Sequence, residues 1–488
     1  MTESISSPAA KTEPVTAAPR PLCVDLDGTL VKSDTLVDSL FLLMRQHPAL
    51  LLELPLALFR GKAAFKAYVT GHVSLDVAHL PYNRKVLQFL QEQRRLGRPI
   101  YLTTGANQIL AQRVADHLGL FTDVLGSDGA TNLTGNKKLD GLRARLGSVP
   151  FDYIGNDTPD LPLLSNATEA MVANPSLCLR LKLRSSGIRP ARSFEERAQP
   201  LRSAVKALRP HQWAKNLLIF LPLLLSHVVT TRLLLQALLA FCCFSLTASS
   251  AYIVNDLLDI ETDRRHPQKR LRPFASGDLP AFTGVIVIAV FLILAFLGAR
   301  MLPAPFLGWL LLYVITTMFY SWYLKRIALV DVLVLSGLYT LRLLAGAAAT
   351  GSHISHWLAG FSIFLFYSLA IVKRFAELEN LQASGLPPRN GRGYLVSDLN
   401  QLRSFGTASA FAAVMVFAIY ISSPDIVALY RRAQLLWLNV PLMILWLCRI
   451  WLLASRGSLD EDPLVFALTD RMSQLIAIAV AVVTLLAI

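Results

Sequence analysis

Three aspartates stand in one short stretch, Asn255-Asp-Leu-Leu-Asp-Ile-Glu-Thr-Asp263, and a basic run from Arg264 to Pro273 follows directly. On a helix of 3.6 residues per turn, Asp256, Asp259 and Asp263 share one face, which can hold a divalent cation. Hard oxygen donors of this kind suit Mg2+, which keeps waters and is usually completed by the phosphates of a substrate. Arg265, Lys269 and Arg272 in the basic run would grip those phosphates. Charges at the end of a membrane helix can simply mark where it meets water, but carboxylates at the edge of an apolar region are costly and tend to be functional.

A second acidic set lies far upstream. The apolar stretch from Pro21 ends in Asp25-Leu-Asp27-Gly-Thr-Leu30. Two aspartates spaced i, i+2 at the carboxyl end of a strand both reach the crevice where parallel α/β sheets bind ligands. Two later strand-like stretches also end in polar residues, at Thr103-Thr104-Gly105 and at Gly155-Asn-Asp157-Thr-Pro-Asp160. Between them Gly135-Asn-Lys-Lys138 precedes a helical run to Leu146, so four polar groups converge on one sheet edge.

The elements that must position these groups fall into two kinds. A chain of 488 residues exceeds one ordinary core, so at least two domains are expected. With 53% hydrophobic residues and a mean hydropathy of +0.47 the chain reads as a polytopic membrane protein, yet the oily segments begin only near Trp213. A net charge of +14 suits either nucleic acid or an anionic membrane surface. Most Lys and Arg lie beside apolar spans or in one linker, which favours the lipid bilayer and no nucleic acid. The five cysteines show no metal spacing and read as apolar fillers in a reducing compartment. Residues Met1 to Arg20 lack the apolar core of a signal peptide and are expected to be disordered.

The predicted organisation is therefore a disordered stretch over 1–20, an α/β domain over 21–176 with a helical cap over 34–83, a basic linker on the membrane surface over 177–208, and an all-α membrane domain over 209–488. Apolar stretches near 213–231, 234–256, 281–300, 304–323, 329–350, 355–373, 402–422, 434–452 and 472–488 predict about nine transmembrane helices. The bias of Lys and Arg among their loops puts the acidic stretch and the soluble domain on the cytoplasmic side. Within the cap, Pro48 to Phe59 is too short to span a bilayer; it is either a core helix or a helix lying on the membrane. Around the acidic stretch the same face gathers Tyr320, Lys325, Asp331, Lys373, Arg374 and Arg389, with Arg342 inside the fifth span. Their clustering favours a polyphosphate pocket.

DxDGTL, a strand-terminal Thr, a Lys before a helix and GNDxxD, in this order from Pro21 to Ala173, resemble the haloacid dehalogenase-like hydrolases. The resemblance implies a phosphotransferase site in which Asp25 attacks phosphorus and Asp27 acts as general acid and base. Thr104 and Lys138 would hold the phosphoryl oxygens, and Asp25, Asp27 and either Asp157 or Asp160 would hold Mg2+. Many members carry Asp directly after the motif's Gly, where this chain has Asn156.

NDxxDxxxD after the second span, with a Tyr and Lys motif after the fourth, resembles the UbiA superfamily of intramembrane prenyltransferases over Arg209 to Ile488. Arg209-Pro-His-Gln-Trp-Ala-Lys215-Asn216, the basic run, Lys373-Arg374-Phe-Ala-Glu377 and Asp462-Pro-Leu-Val-Phe466 resemble its polyprenyl-phosphate phosphoribosyltransferase branch. Prenyltransferases that ionise a prenyl diphosphate commonly carry a second DxxxD, and here only Asp331 stands in that region. One acidic cluster suits one diphosphate, that of the sugar donor phosphoribosyl pyrophosphate, with polyprenyl phosphate as the nucleophile.

On this reading Asp256, Asp259 and Asp263 hold Mg2+ on the diphosphate, and Lys215, Lys269, Arg272, Lys325 and Lys373 neutralise phosphates. Asn216, Asn255, Arg265, Tyr320, Asp331, Arg342 and Arg374 complete the substrate site. The hydrolase would then remove the 5-phosphate, giving a polyprenylphosphoryl ribose for ribosylation or, after a downstream epimerase, arabinosylation in cell-wall synthesis. Such a protein would sit in a bacterial plasma membrane, with room for a homo-oligomer. Two other readings stay open: an aromatic prenyltransferase with an unrelated hydrolase attached, and a non-enzymatic lipid-binding or transport protein.

Overall fold

The structure, a computed structural model, describes residues 19–383, 392–459 and 463–488. The expected disorder before residue 19 and the readings on Arg389 and Asp462 lie outside the described residues. The chain separates into two compact units: Met1–Ser203 with Leu258–Phe282, and Ala204–Leu257 with Thr283–Ile488.

In the first unit, strands β1 (Leu22–Val24), β2 (Ile100–Asn107), β3 (Asp123–Ser127), β4 (Asp152–Gly155), β5 (Ala170–Ala173) and β6 (Arg192–Phe194) form one sheet. Their order is β3-β2-β1-β4-β5-β6, and every neighbouring pair is parallel. Central β1 is inaccessible to solvent throughout, as a continuous apolar run covered on both faces should be. Leu22 and Val24 join one apolar cluster and Cys23 another, because successive side chains point to opposite faces. The strand order turns at β1, between β2 and β4, which places the ligand crevice beyond the carboxyl ends of these three strands.

Helix α1 (Thr35–Gln46) follows β1 and is capped by Asp34, whose carboxylate accepts the amides of Leu36 and Val37. A 3-10 helix Pro48–Glu53 and a short helix Leu54–Phe59 lead to α2 (Lys62–His72). Leu42 and Leu43 of α1 pack with Val69 and Val73 in a small core of their own. Helix α3 (Asn136–Leu146) carries Lys138. Leu177–Ser185 and β6 fall in the stretch expected to be a basic linker; the helix buries Leu179 and Leu183 against the sheet, and β6 extends the sheet's edge.

Residues Leu258–Phe282 also belong to this unit. They form a short helix, Ile260–Arg265, and a 3-10 turn, Lys269–Leu271, anchored by buried Phe274, Ala275 and Leu279. Gly277 lies against Lys32 at φ +73°, where an added Cβ would stand 2.7 Å from the Lys32 Cβ.

The second unit is helical: α4 (Thr231–Leu258), α5 (Ala281–Ala299), α6 (Ala304–Trp322), α7 (Val330–Thr350), α8 (His356–Ala383), α9 (Leu399–Ser422), α10 (Asn439–Ser455) and α11 (Arg471–Ala487). Among the described residues seven helices, α4 to α10, are long and apolar enough to cross a membrane, and the protein is a multi-pass membrane protein. The expected count of about nine is not confirmed by these seven. The 213–231 stretch instead forms the 3-10 helix Pro210–Phe220 and the five-residue helix Leu221–Leu225, interrupted by Pro222. Helix α11 has 17 residues, short of the roughly 20 that cross the hydrocarbon core.

The core of this unit is carried by α4, α7 and α8, whose apolar windows are 61%, 67% and 56% buried, against 11% for α5 and 17% for α6. These three inner helices also carry Asp256, Asp331, Arg342, Lys373 and Arg374. Gly346 of α7 lets the Pro210–Phe220 segment approach; an added Cβ would stand 2.2 Å from the Ile219 carbonyl oxygen.

Candidate functional site

In the first unit the carboxyl ends of β1 and β4 meet the start of α3. Lys138 Nζ bridges Asp25 Oδ1 at 2.7 Å and Asp160 Oδ1 at 3.0 Å, with all three side chains buried. The Tyr153 hydroxyl donates to Asp160 at 2.8 Å and the Asn156 amide donates to its second oxygen at 3.0 Å. Asp27 accepts the Thr35 amide at 2.8 Å, so the start of α1 orients it. Thr104 is fully buried at the end of β2, its hydroxyl accepting the Ala106 amide.

The electrostatics are set by burial. Loss of solvent pushes the Asp25 carboxyl up to about 7, with Lys138 opposing and Asp160 adding to the rise. Burial and then the Asp34 charge push Asp27 up to about 8, so it holds a proton at neutral pH. Burial works against the Lys138 ammonium, but Asp160 and Asp25 outweigh it and raise the group. One buried carboxyl able to ionise beside another that keeps its proton is the arrangement a nucleophile and a general acid require.

The structure separates Asp157 from Asp160. Asp157 is exposed and accepts the Thr158 amide and the Ser176 hydroxyl, both at 2.7 Å. Asp160 is the one joined to Asp25 through Lys138. Asn156 stands directly against the acidic turn: an added Cβ on Gly28 would lie 2.0 Å from its side-chain nitrogen. Among the described residues no three His, Cys, Asp or Glu converge to hold a metal ion. Asp25, Asp27 and the Asn156 amide are oxygen donors around a turn that tolerates only Gly, and such a set fits a hard cation completed by water and substrate oxygens.

Sequence reasoning missed Asn156 as a donor and missed Lys66 altogether. Lys66 of α2 reaches from the cap to the Gly105 carbonyl at 2.5 Å and Asn132 Oδ1 at 2.8 Å. Burial lowers its ammonium, with Asp27, Asp34 and Asp25 opposing. No sequence motif marks it, since it sits mid-helix in a region that only the fold brings to the sheet edge.

The acidic stretch is not one continuous helix. Helix α4 ends at Leu258, Asp259 leaves helical geometry at φ −98° and ψ 7°, and a new helix starts at Ile260. Asp259 and Asp263 accordingly group with the first unit, where Arg45 pairs with Asp259 at 3.2 Å and Arg272 with Asp263 at 2.6 Å. Arg265 pairs with Asp76 at 2.9 Å and with Glu261 at 2.7 Å, and Lys269 is exposed on its 3-10 turn.

The second unit holds Asp256, 2% exposed and gripped by Arg209 through both oxygens at 2.7 and 3.0 Å. Lys325 donates to Asn255 Oδ1 at 2.8 Å. Deeper in the bundle Arg342, 6% exposed, donates to Asn216 Oδ1 at 2.8 Å, to the Tyr313 hydroxyl at 3.0 Å and to the Leu338 carbonyl at 2.5 Å. It lies over the Tyr339 ring at 5.4 Å, and Lys215 lies over the same ring at 5.7 Å. Arg342 has no carboxylate partner among the described residues.

Asp331 and Arg374 form a different kind of group. Arg374 Nε donates to Asp331 at 2.6 Å, the Tyr394 hydroxyl donates to the other Asp331 oxygen, and Glu377 takes the rest of the guanidinium at 2.7 and 2.8 Å. Tyr320 accepts from Arg374 at 3.3 Å. Asp331 is 0% and Arg374 1% exposed, so each is occupied in holding α7 to α8. Lys373, on the same turn, is half-buried.

The folds and these groups define a membrane-embedded transferase joined to a phosphatase-type hydrolase unit. Residues 217–474 match the UbiA prenyltransferase family and residues 22–164 match haloacid dehalogenase-like hydrolase, and the chain belongs to the UbiA prenyltransferase family with a hydrolase domain of the second type. An uncharacterized protein, y4nM, of Sinorhizobium fredii is 36% identical over 467 residues, covering 94% of this chain and 90% of that one. Nodulation protein NoeC of Azorhizobium caulinodans is 34% identical over 56% of this chain and 89% of its own length. A decaprenyl-phosphate phosphoribosyltransferase of Mycobacterium tuberculosis is 34% identical over 56% of this chain and 90% of its own.

Proposed function

We propose that the membrane unit transfers a 5-phosphoribosyl group from phosphoribosyl pyrophosphate to a polyprenyl phosphate, and that the hydrolase unit then removes the 5-phosphate. The observation that carries the first step is buried Arg342, which has no carboxylate partner among the described residues. A buried arginine whose partners carry no countercharge is costly in a membrane protein and marks a site for an anion. Substrates with a diphosphate and a phosphomonoester supply that charge, and the similarity to a decaprenyl-phosphate phosphoribosyltransferase points the same way.

Asp256, matched by Arg209, is the oxygen donor of the membrane unit that would hold Mg2+ on the diphosphate. Mg2+ would supply stabilisation of charge on the leaving group. The C1–O bond to pyrophosphate breaks, and an oxygen of the lipid phosphate, already anionic, closes the new C1–O bond from the opposite face. Lys325 and Arg342 hold the phosphates on either side of that exchange.

In the hydrolase, Asp25 attacks phosphorus as the bond to the ribose oxygen breaks, Lys138 and Thr104 steady the phosphoryl oxygens, and Asp27 gives its proton to the departing ribose oxygen. Asp27 then takes a proton from the water that cleaves the Asp25–phosphate bond and releases inorganic phosphate. The lysine- and arginine-rich loops favour a cytoplasmic location for both sites in a bacterial plasma membrane. The lipid product would suit a downstream epimerase.

The test supplies purified protein with Mg2+, labelled phosphoribosyl pyrophosphate and polyprenyl phosphate. The reading requires pyrophosphate release with label moving to lipid, followed by inorganic phosphate. Pyrophosphate without inorganic phosphate removes the coupled second step, and consumption of a prenyl diphosphate instead of the ribosyl donor replaces the reading with an aromatic prenyltransferase.

A further inference from the structure

We infer that the tip of the hydrolase cap, Pro48–Phe59, is a lipid-docking surface that lies in the headgroup region of the bilayer. The stretch Pro-Ala-Leu-Leu-Leu-Glu-Leu-Pro-Leu-Ala-Leu-Phe is apolar enough to be a core helix, but it does not behave as one. Leu50 and Leu54 turn inward to the small core of α1 and α2, and Ala57 is buried. Leu52 and Phe59 remain 86% and 89% exposed, and Leu56 and Leu58 are more than half exposed. These values hold with the whole chain present, so no described residue covers this face.

The chemistry of the patch selects lipid over water. Four large apolar side chains project from two consecutive short helices, and such a contiguous patch marks an interaction surface. The single acid, Glu53, is turned back to accept the Tyr68 hydroxyl at 2.8 Å. Exposed Arg60 and Lys62 follow the patch directly, as suits anionic headgroups. The partner is always at hand, because seven apolar helices of the same chain hold the protein in a bilayer at high effective concentration.

Docking has a consequence for the hydrolase. Immediately after the tip comes α2, whose Lys66 reaches the Gly105 carbonyl at the sheet edge. A cap seated among headgroups presents that edge to phosphates carried on lipids, which then need not leave the membrane to be hydrolysed.

The test uses the full chain in nanodiscs, with exposed Cys178, Cys242 and Cys448 replaced by Ser and an environment-sensitive nitrobenzoxadiazole dye on Phe59→Cys. We expect blue-shifted emission and at least twofold quenching when brominated lipid replaces its unbrominated counterpart, while the same dye on Gln91→Cys, an exposed polar position, stays unquenched. Phe59→Ser with Leu52→Ser should lower hydrolysis of a phosphorylated lipid at least fivefold and leave p-nitrophenyl phosphate hydrolysis unchanged. Water-like emission without quenching at position 59 overturns the inference. So does a blue shift that disappears when discs hold one chain each, which would assign the patch to a second copy. The quenching needs no turnover, so it decides the docking even if the ribosyl-transfer reading fails.

Discussion

Lys138→Met should be among the most disruptive single changes in the hydrolase unit, for an electrostatic reason that can be sized. The ammonium lies 2.7 and 3.0 Å from two carboxylates, and its side chain is 4% exposed. Removing one partner of a buried ion pair costs about 3–5 kcal/mol, because the charge left behind has no solvent to turn to. Here two carboxylates are left, and they escape only by binding protons. Asp25, already raised by burial, loses the Lys138 charge that opposes the rise and titrates higher still in the folded state. A raised carboxyl keeps its stabilising contribution below the unfolded value near 4 and loses it as pH climbs through the folded value, so the variant's deficit should grow from pH 5 to pH 8.

The sheet contains its own reporter: Cys23 at the centre of β1 is 0% exposed, and burial pushes its thiol up to about 12. With the exposed cysteines replaced, labelling of Cys23 by a thiol reagent requires the sheet to open. Since each 1.4 kcal/mol is a factor of ten, labelling in EDTA at pH 8 should accelerate by roughly 140- to 3700-fold. Adding Asp160→Asn should recover part of the protection without restoring hydrolysis. Acceleration under fivefold, or a deficit that shrinks with rising pH, would refute the view that Lys138 neutralises this pair.

Three further outcomes follow from the geometry. Asp160→Asn should abolish hydrolysis of a phosphomonoester, whereas Asp157→Asn, which loses only contacts to Thr158 and Ser176, should keep activity within about threefold; paired steady-state assays decide this. Arg342→Gln should cut ribosyl transfer by about 100- to 1000-fold, as loss of a preorganised charge contact does, with Arg342→Lys intermediate and hydrolysis untouched. Arg264→Met removes a buried pair with Asp38 at 2.9 Å and a hydrogen bond to Ser33 at 3.0 Å, so amide exchange across residues 259–275 should rise by at least tenfold in the full chain.

The sheet was legible because its signals are local: apolar runs of strand length, each ending in a polar turn, announce a parallel α/β sheet from β1, β2 and β4 alone. The inner membrane helices were legible from length and hydropathy. Three features were not, each for a reason outside the local pattern. The 213–231 stretch has the composition of a span, but Pro222 denies it continuous α-helical hydrogen bonds, and Gly346 gives it a close packing partner that no sequence window contains. The 177–194 stretch looked like a linker because its basic residues face outward, while Leu179, Leu183 and Phe194 face the sheet. The helical spacing of Asp256, Asp259 and Asp263 assumed one helix, and the break at Asp259 divides the set.

For the candidate site, the acidic turns and the lysine before α3 stand out by residue type and spacing. Lys66 does not, because the contact that brings a cap lysine to Gly105 spans 39 positions of sequence. Asp331 and Arg374 show the reverse case: charged residues in membrane helices invite a substrate role, yet these two satisfy each other and the neighbouring tyrosines.

The return of Leu258–Phe282 to the first unit bears on how the protein is made. Synthesis delivers β1 to β6 early, and domains generally fold as their chain emerges. This one cannot finish then: buried Asp38 and Ser33 wait for Arg264, which the ribosome adds only after all of α4. A membrane helix must therefore be inserted before the soluble fold closes, and the insertion machinery must hand the chain back to water for some 25 residues before taking it again. Biogenesis of the two units is a single interleaved event, and cutting the gene after Ser203 would leave the first unit without Leu258–Phe282 and that segment without the unit it belongs to.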